Sequence, residues 1–237
     1  MSIMTSSDER CFGLGGNVAV YPHVLPGKYY IIPFCMTAGV VLKWFKDEFC
    51  TEETQQAKAL GRSAYKGLDD LAATCPPGAG GLLLIPYLNG ILQPEVKPEM
   101  RGVFFGVSLD TKKPQFIRAI FEGVGYMLRE NLELIERMGI EVKEIRSFGG
   151  GSNSVLWQQI KSDITWRKIS TMKEKECASL GAAILASVAI GLYPNLETAA
   201  KVNTIARSCI PDAAAAELYD GLYARYLRVL EATKALY

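Results

Sequence analysis

The sequence predicts a layered α/β domain in which helices flank a mixed β-sheet. Three observations favour this class. Short apolar runs broken by glycine and proline fill the first third, helical and strand-like patterns alternate from Pro114 onward, and the connections between them are short. Hydrophobic residues make up 49% of the 237 residues, which is the composition of a globular chain with a sizeable core.

Strands and a capped helix are predicted at the start of the chain. Short apolar runs at residues 11–14, 17–21 and 29–34 are typical of strands. Thr37 is predicted to cap a helix that carries Val40, Val41, Trp44 and Phe45 on one face. The pattern then predicts a polar helix over 52–66, a helical turn over 68–73, a strand over 82–86, a loop over 89–101 and a strand over 103–107.

The second half alternates helices and strands. Apolar residues recur at helical spacing from Pro114 to Met138, which predicts one long helix. Shorter patterns predict a strand over 142–148, a helix over 153–164, a strand over 167–170, a helix over 177–190 and a helical tail over 212–236. Trp157 and Trp44 lie on apolar helical faces, so both are expected in the core.

Charge and cysteine usage exclude several classes of function. The chain has 26 basic and 25 acidic residues, so it offers no basic field for nucleic acid or an acidic membrane surface. No apolar run reaches the roughly 18–20 residues that span a bilayer, and the first residues do not have the pattern of a signal peptide. Six scattered cysteines and one histidine form no metal-binding spacing, and they predict reduced thiols in a cytoplasmic protein.

A glycine turn is the most informative local feature. Gly149, Gly150 and Gly151 follow a strand pattern and precede a helical one. Glycines let a backbone approach a ligand closely, and a helix N-terminus attracts phosphate. A turn without a ligand is the alternative. Ser152 and Asn153 are expected to cap the following helix, and for Asn153 a ligand contact is an equal possibility.

Several segments resemble the C-terminal domain of the FGGY family of carbohydrate kinases. The run from Gly102 to Gly123 resembles the family's second signature, with its Gly-x-aromatic-x-Gly strand and its helix ending Ala-Ile-Phe-Glu. The run from Glu176 to Ala186 resembles the Glu-x-x-x-Leu-Gly-Ala-Ala helix, and Met36 to Trp44 resembles an Ala-Gly-x-x-x-x-Trp helix. Within the family, the amino-acid sequence of the Gly-x-aromatic-x-Gly strand is most similar to that of xylulokinases.

The resemblance implies a fold and an activity. The fold is a ribonuclease-H-like (actin-type ATPase) domain, and residues 1–237 form one nucleotide-binding domain without the family's N-terminal sugar-binding domain. The intact enzyme would use ATP and Mg²⁺ to phosphorylate a hydroxyl of a small sugar or polyol, of which a xylulose-like ketopentose is the first choice. No residue here matches the family's catalytic base. The two carboxylates considered for this role, Asp110 and Asp163, are interpreted as surface or capping carboxylates. The chain alone is therefore expected to be inactive.

The resemblance also assigns nucleotide-binding residues. Gly149, Gly150, Gly151 and Asn153 would lie beside the adenosine and α-phosphate. Gly39 would contact the phosphates, although close helix packing is its alternative role. Thr5 and Ser6 would hold the terminal phosphate, with Met4 where glycine is usual and a frayed terminus as the alternative. Glu176 is expected to complement a helix dipole, and Gly181 to permit close packing against the glycine turn.

One departure from the family and one competing hypothesis remain. The loop from Asn89 to Pro94 has neither of the two charges that xylulokinases carry there, and a contact between Gln93 and a polyol is weighed against a plain loop. The competing hypothesis is a non-catalytic nucleotide-binding or interaction module, or half of a split gene that needs a partner chain. Loss of neighbours along residues 11–34 would expose apolar surface, which predicts a homodimer.

Overall fold

The computed structural model describes residues 3–9, 18–93 and 95–237. The first sheet is antiparallel, with the strand order β1-β3-β2. It consists of β1 (Thr5–Ser7), β2 (Ala19–Pro22) and β3 (Tyr29–Ile32). The strands predicted at 17–21 and 29–34 are thus present, whereas the one predicted at 11–14 lies outside the described residues.

Three helices follow the first sheet, and their details differ from the sequence-based expectation. They are α1 (Gly39–Phe49), α2 (Thr51–Ala59) and α3 (Ala64–Ala73). The predicted polar helix over 52–66 is wrong as a single element, because the chain turns at Gly61, whose φ of 62° is left-handed.

The predicted cap of α1 is also wrong. Ala38 is the N-cap, and the Thr37 hydroxyl instead donates a buried hydrogen bond of 2.5 Å to the Pro86 carbonyl. Val41 and Phe45 are buried as expected. Trp44 is 38% exposed and so is not a core residue.

The middle of the chain contains a strand pair and one long helix. Strands β4 (Leu83–Ile85) and β5 (Val103–Phe105) are antiparallel, with Leu84 opposite Phe104. Helix α4 (Lys113–Arg137) packs on the fully buried β4. Gly123 permits this approach, because a Cβ at that position would lie 2.7 Å from the Leu84 carbonyl oxygen.

The C-terminal part contains the mixed sheet. Strand β7 pairs parallel with β6 and antiparallel with β8. Strand β8 and helix α7 were not predicted from the sequence. The elements in chain order are β6 (Glu144–Ser147), α5 (Val155–Thr165), β7 (Lys168–Met172), α6 (Cys177–Ala189), α7 (Leu196–Ala200), β8 (Ile205–Cys209) and α8 (Ala213–Lys234). Among the described helices, none is both long and apolar enough to cross a membrane.

Helix α4 is the centre of the main hydrophobic core, and it packs against α5, α8 and β4. Three tyrosines of α8 donate hydrogen bonds to carboxylates of α4, with the pairs Tyr219–Glu122 at 2.9 Å, Tyr223–Glu133 at 2.9 Å and Tyr226–Glu130 at 3.3 Å. These bonds give a largely apolar seam a fixed register, because each tyrosine hydroxyl meets a carboxylate at one position along α4.

The most buried of these contacts is an ion-pair network. Arg118 Nε donates to Glu122 Oε1 at 2.7 Å, and both side chains are almost completely buried. Tyr219 Oη accepts from Arg118 at 2.6 Å and donates to Glu122, and the Gly78 N–H donates to the same carboxylate oxygen at 2.9 Å. Burial raises the pKa of the Glu122 carboxyl, against the lowering effect of the Arg118 charge. The network joins α4, α8 and the segment before β4.

Lys161 is a second buried charged residue. Lys161 of α5 is 9% exposed, and its Nζ lies 4.4 Å from the centroid of the Trp157 ring. No carboxylate in the described part of the chain pairs with it. Burial lowers the pKa of Lys161 to about 8.

Glu122→Gln tests the ion-pair network. The substitution leaves the buried Arg118 guanidinium without a counter-charge, so the free energy of unfolding should fall by about 3–5 kcal/mol in urea titrations. Asp70→Asn is the matched control, since Lys66 and Asp70 form an exposed pair at the same i, i+4 spacing. Its effect should stay below about 1 kcal/mol. Equal losses in the two variants would contradict the importance assigned to burial.

Lys161→Met tests the unpaired amine. The pKa of Lys161 is about 8 when folded and 10.5 when unperturbed, so between these pH values the unfolded chain binds more protons and stability rises with pH. Methionine removes this dependence and should stabilise the protein at neutral pH by up to about 3 kcal/mol. Urea unfolding of both proteins at neutral pH and at pH 10 measures the difference. Parallel pH dependences would show that Lys161 is solvated.

Candidate functional site

The candidate site is the glycine turn between β6 and α5. Gly149 has φ 77° and ψ −174°, a backbone conformation that side-chain-bearing residues rarely adopt, and residues Gly150–Asn153 form a 3-10 turn. A Cβ added to Gly149 or Gly150 would meet no atom within 4 Å, so one side of the turn faces open space. The turn thus offers bare backbone to an approaching ligand.

Backbone donors are available on this open side. Within the described residues, the N–H groups of Gly150 and Gly151 have no hydrogen-bond acceptor, whereas Ser152 donates its N–H to the Gly149 carbonyl at 3.1 Å. Free N–H groups just ahead of a helix form an anion site, since the helix dipole adds positive potential there.

The side chains of Gln158 and Arg207 hold the turn from below. Gln158 Nε2 donates to the Gly151 carbonyl at 2.9 Å, and the Arg207 guanidinium donates to the Ser152 carbonyl at 3.2 Å. Gln158 Oε1 and Arg207 Nε are buried and have no partner within the described residues. The sequence analysis assigned no role to either residue. Arg207 comes from strand β8, which was not predicted.

The cap of α5 is one residue later than predicted. Ser154 Oγ accepts the Trp157 N–H at 3.0 Å and donates to Asp69 Oδ1 at 2.8 Å. Ser152 instead donates its hydroxyl to the Gly149 carbonyl at 2.7 Å. Asn153 is exposed, and its Oδ1 accepts from Lys175 Nζ. Capping by Ser152 or Asn153 is therefore wrong, and Asn153 remains available at the surface beside a lysine.

Two further features shape the surroundings of the turn. Trp157 lies beneath Gly151 and stacks on Phe121 of α4, with ring centroids 4.7 Å apart. Its Nε1 donates to the Phe121 carbonyl at 3.0 Å, and it is 3% exposed, so the predicted core role is confirmed. Asp69 is half-buried against the cap of α5, and burial raises the pKa of its carboxyl.

The remaining predicted nucleotide-binding residues lie on other elements. Gly39 is the first residue of α1, and a Cβ there would meet nothing within 4 Å, so close helix packing does not explain this glycine. Thr5 and Ser6 form β1 and pair with Ile31 and Tyr30 of β3. Helix α1 packs mainly on α2 and α4, and β1 on β3. The predicted nucleotide-binding residues thus lie on three elements: the turn at 149–153, the start of α1 and strand β1.

The two carboxylates considered as a catalytic base, Asp163 and Asp110, differ in their surroundings. Asp163 is buried and accepts from the Asp212 N–H at 2.9 Å and from Gln159 at 2.7 Å, which is a structural role. Asp110 is exposed in the loop after β5. The amide oxygen of Gln93 accepts a hydrogen bond from the Phe34 N–H at 2.9 Å. This bond ties the loop at Gln93 to the segment after β3.

The polar groups in the described residues include no set of three or more His, Cys, Asp or Glu side chains placed to hold a metal ion. Of the five cysteines that the structure describes, Cys177 is partly exposed and four are buried: Cys35, Cys50, Cys75 and Cys209. Burial raises the pKa of Cys35 to about 12, which keeps this thiol protonated and unreactive.

Helix α6 carries the motif from Glu176 to Ala186. Glu176 is its N-cap residue and makes no side-chain capping bond, so the expected dipole effect rests on charge alone. A Cβ on Gly181 would meet nothing within 4 Å. The expected close packing of Gly181 against the glycine turn is therefore wrong. None of the 13 residues of α6 is buried.

Comparisons with known proteins agree with this architecture. Residues 2–190 match the model of the FGGY family of carbohydrate kinases, C-terminal domain. A xylulose kinase of Staphylococcus epidermidis is 32% identical over 232 residues, which is 96% of this chain and 44% of that protein. A gluconokinase of Bacillus subtilis is 37% identical over 174 residues, which is 73% of this chain and 34% of that protein.

Solved structures show the same fold. The ligand-bound xylulose kinase from Lactobacillus acidophilus has a TM-score of 0.85 at 24% identity, over 99% of this chain and 46% of that chain. The predicted actin-type fold is thereby confirmed. The chain spans less than half the length of each of these relatives. The family match over 189 of 237 residues and the shared fold show that this chain belongs to the FGGY family of carbohydrate kinases, within which it corresponds to the C-terminal domain.

Proposed function

We propose that this chain is the ATP-binding domain of a sugar kinase and that the glycine turn holds the nucleotide. The observation that carries the proposal is the pair of N–H groups of Gly150 and Gly151 without an acceptor among the described residues, in a turn that is open at Gly149 and Gly150 and precedes α5. A family of carbohydrate kinases needs a phosphate donor, and a turn of this kind suits a nucleotide phosphate.

The residues around the turn have defined tasks in this proposal. The N–H groups of Gly150 and Gly151 donate to a phosphate, and Lys175 supplies positive charge beside Asn153. Arg207 holds the turn through the Ser152 carbonyl, and its buried Nε adds positive potential from below. Gly39, Thr5 and Ser6 stay proposals for the phosphate end. Mg²⁺ would bind mainly through the phosphates and water, as it commonly does.

Phosphoryl transfer also needs a group that accepts the proton of the attacking hydroxyl. By resemblance, the family's aspartate for this step belongs to an N-terminal domain, and we assign this role to no carboxylate among the described residues near the glycine turn. Asp163 is engaged with α8, and Asp69 accepts from the cap of α5. We therefore propose that the domain positions ATP for chemistry completed by a second domain, in the cytoplasm.

A ketopentose such as xylulose is the proposed substrate. The support is the wide coverage by the xylulose kinase of S. epidermidis, 96% of this chain against 73% for the gluconokinase. The loop at Gln93 has neither of the charges usual in xylulokinases, and its amide is engaged with Phe34. We therefore assign the specificity for the sugar substrate to residues outside this loop.

The alternative function, a module that works with a partner chain, is favoured by one observation. Helix α6 is rich in apolar residues and yet has no buried residue, and the adjacent Ile190 and Leu192 are 80% and 68% exposed. Apolar surface of this kind marks an interaction face. A homodimer remains part of this proposal, and light scattering at tens of micromolar protein measures it.

Calorimetric titration with ATP and Mg²⁺ tests the nucleotide site. We expect binding with a Kd of about 1 mM or tighter, equivalent to about −4 kcal/mol. Gly150→Ala should weaken it about tenfold or more, because the added Cβ enters the space that the nucleotide approaches. The thermal midpoint should change little, since that Cβ meets no protein atom within 4 Å.

Gly221→Ala is the matched control for this experiment. It adds the same methyl group at an exposed helical position of α8, where a Cβ also meets nothing within 4 Å. It should leave ATP binding unchanged and raise stability by about 0.5–1 kcal/mol. Loss of ATP affinity in both variants, or in neither, would contradict the site.

A phosphorylation assay tests the missing base. The purified chain, supplied with ATP, Mg²⁺ and xylulose, should form no sugar phosphate above the uncatalysed rate, as followed by ³¹P NMR. The same mixture with gluconate should also remain unchanged. Sustained turnover of either sugar would show that a carboxylate of this chain acts as the base.

A further inference from the structure

A second concave site lies between β5 and α8. The cavity has a volume of about 500 Å³, within the range of small-molecule sites. It lies on the face of β5 opposite α4, because Phe104 packs against Phe116 of α4 and its neighbours in the strand point the other way. The lining residues are Val103, Phe105, Arg225, Arg228, Val229 and Leu236, with Ala232 and Thr233.

Most of the wall is apolar. Phe105 is 45% exposed and Leu236 is 80% exposed, so both present hydrocarbon to water at this cavity. The Thr233 hydroxyl donates to the Val229 carbonyl at 2.7 Å, so the hydrogen-bonding capacity of this hydroxyl proton is satisfied within α8. An apolar body that displaces water from this wall would gain free energy by burial.

Two arginines supply charge at the same cavity. The Arg225 guanidinium lies 5.5 Å from the centroid of the Phe105 ring. Within the described residues, neither Arg225 nor Arg228 has a carboxylate partner, and Glu231 and Glu95 both pair with Lys234. Two unpaired guanidinium groups beside an apolar wall are complementary to an anion that carries a hydrophobic body.

We propose that this cavity binds a small amphipathic anion, whose carboxylate or phosphate head lies between Arg225 and Arg228 and whose apolar body lies along Phe105, Val229 and Leu236. The residues that line the cavity include none of the glycine turn at 149–153. Helix α8 lies beyond residues 2–190, the part that matches the family model. The inference therefore does not depend on the proposed nucleotide site.

Titration of the 237-residue chain with three eight-carbon probes tests the proposal. Octanoate and octyl phosphate carry the two head groups, and octanol has the same chain without charge. At least one anion should bind with a Kd of about 1 mM or tighter, and octanol about tenfold more weakly. Preference for octanoate or for octyl phosphate identifies the head group. Absence of binding by both anions at about 5 mM, or equal affinity for octanol, would overturn the proposal.

Variants locate the binding. Arg225→Gln combined with Arg228→Gln should weaken the better anion about tenfold or more. Arg137→Gln removes the same charge from an exposed position at the end of α4 and should have no effect. Ala232→Phe fills the cavity without changing charge and should also abolish binding. Circular dichroism checks that each variant is folded. Unchanged affinity in both the double arginine variant and Ala232→Phe would refute the site.

Discussion

The buried carboxylate of Glu122 constrains much of this fold. A carboxylate in the core is costly unless its charge is matched and its oxygens are hydrogen-bonded. Arg118 provides the charge from one turn earlier in α4, while Tyr219 and the Gly78 N–H supply further donors. These partners come from three separate segments, so satisfying one oxygen fixes the positions of α4, α8 and the chain before β4 relative to one another.

Helix α4 transmits this order to the glycine turn. Phe121, adjacent to Glu122, stacks on Trp157 and accepts its indole N–H, and Trp157 in turn lies under Gly151. The open face of the turn is therefore supported by a core residue and by Gln158, not by its own loop. A backbone that must present N–H groups to a ligand benefits from such support, because the donors are already oriented before binding.

Helical periodicity predicted the long helix to within one residue at each end, since 114–138 compares with Lys113–Arg137. The glycine turn was also evident, because three consecutive glycines have few other uses. The exact cap, Ser154, depends on backbone angles that the sequence does not show. Strand β8 was missed because its stability comes from pairing with β7 and not from an apolar pattern, so Arg207 was missed with it. The prediction that Trp44 lies in the core was wrong, because an apolar helical face need not be covered along its whole width.

The hydroxyl of Tyr219 is contributed by a residue 101 positions after Arg118. During synthesis, the Arg118 side of this network is therefore made 101 residues before its tyrosine partner. Contacts of such long sequence separation slow folding, because the loop must close before the contact is formed. Until α8 docks, the charged pair and the tyrosine seam remain hydrated, so the docking of α8 commits the core to its final packing.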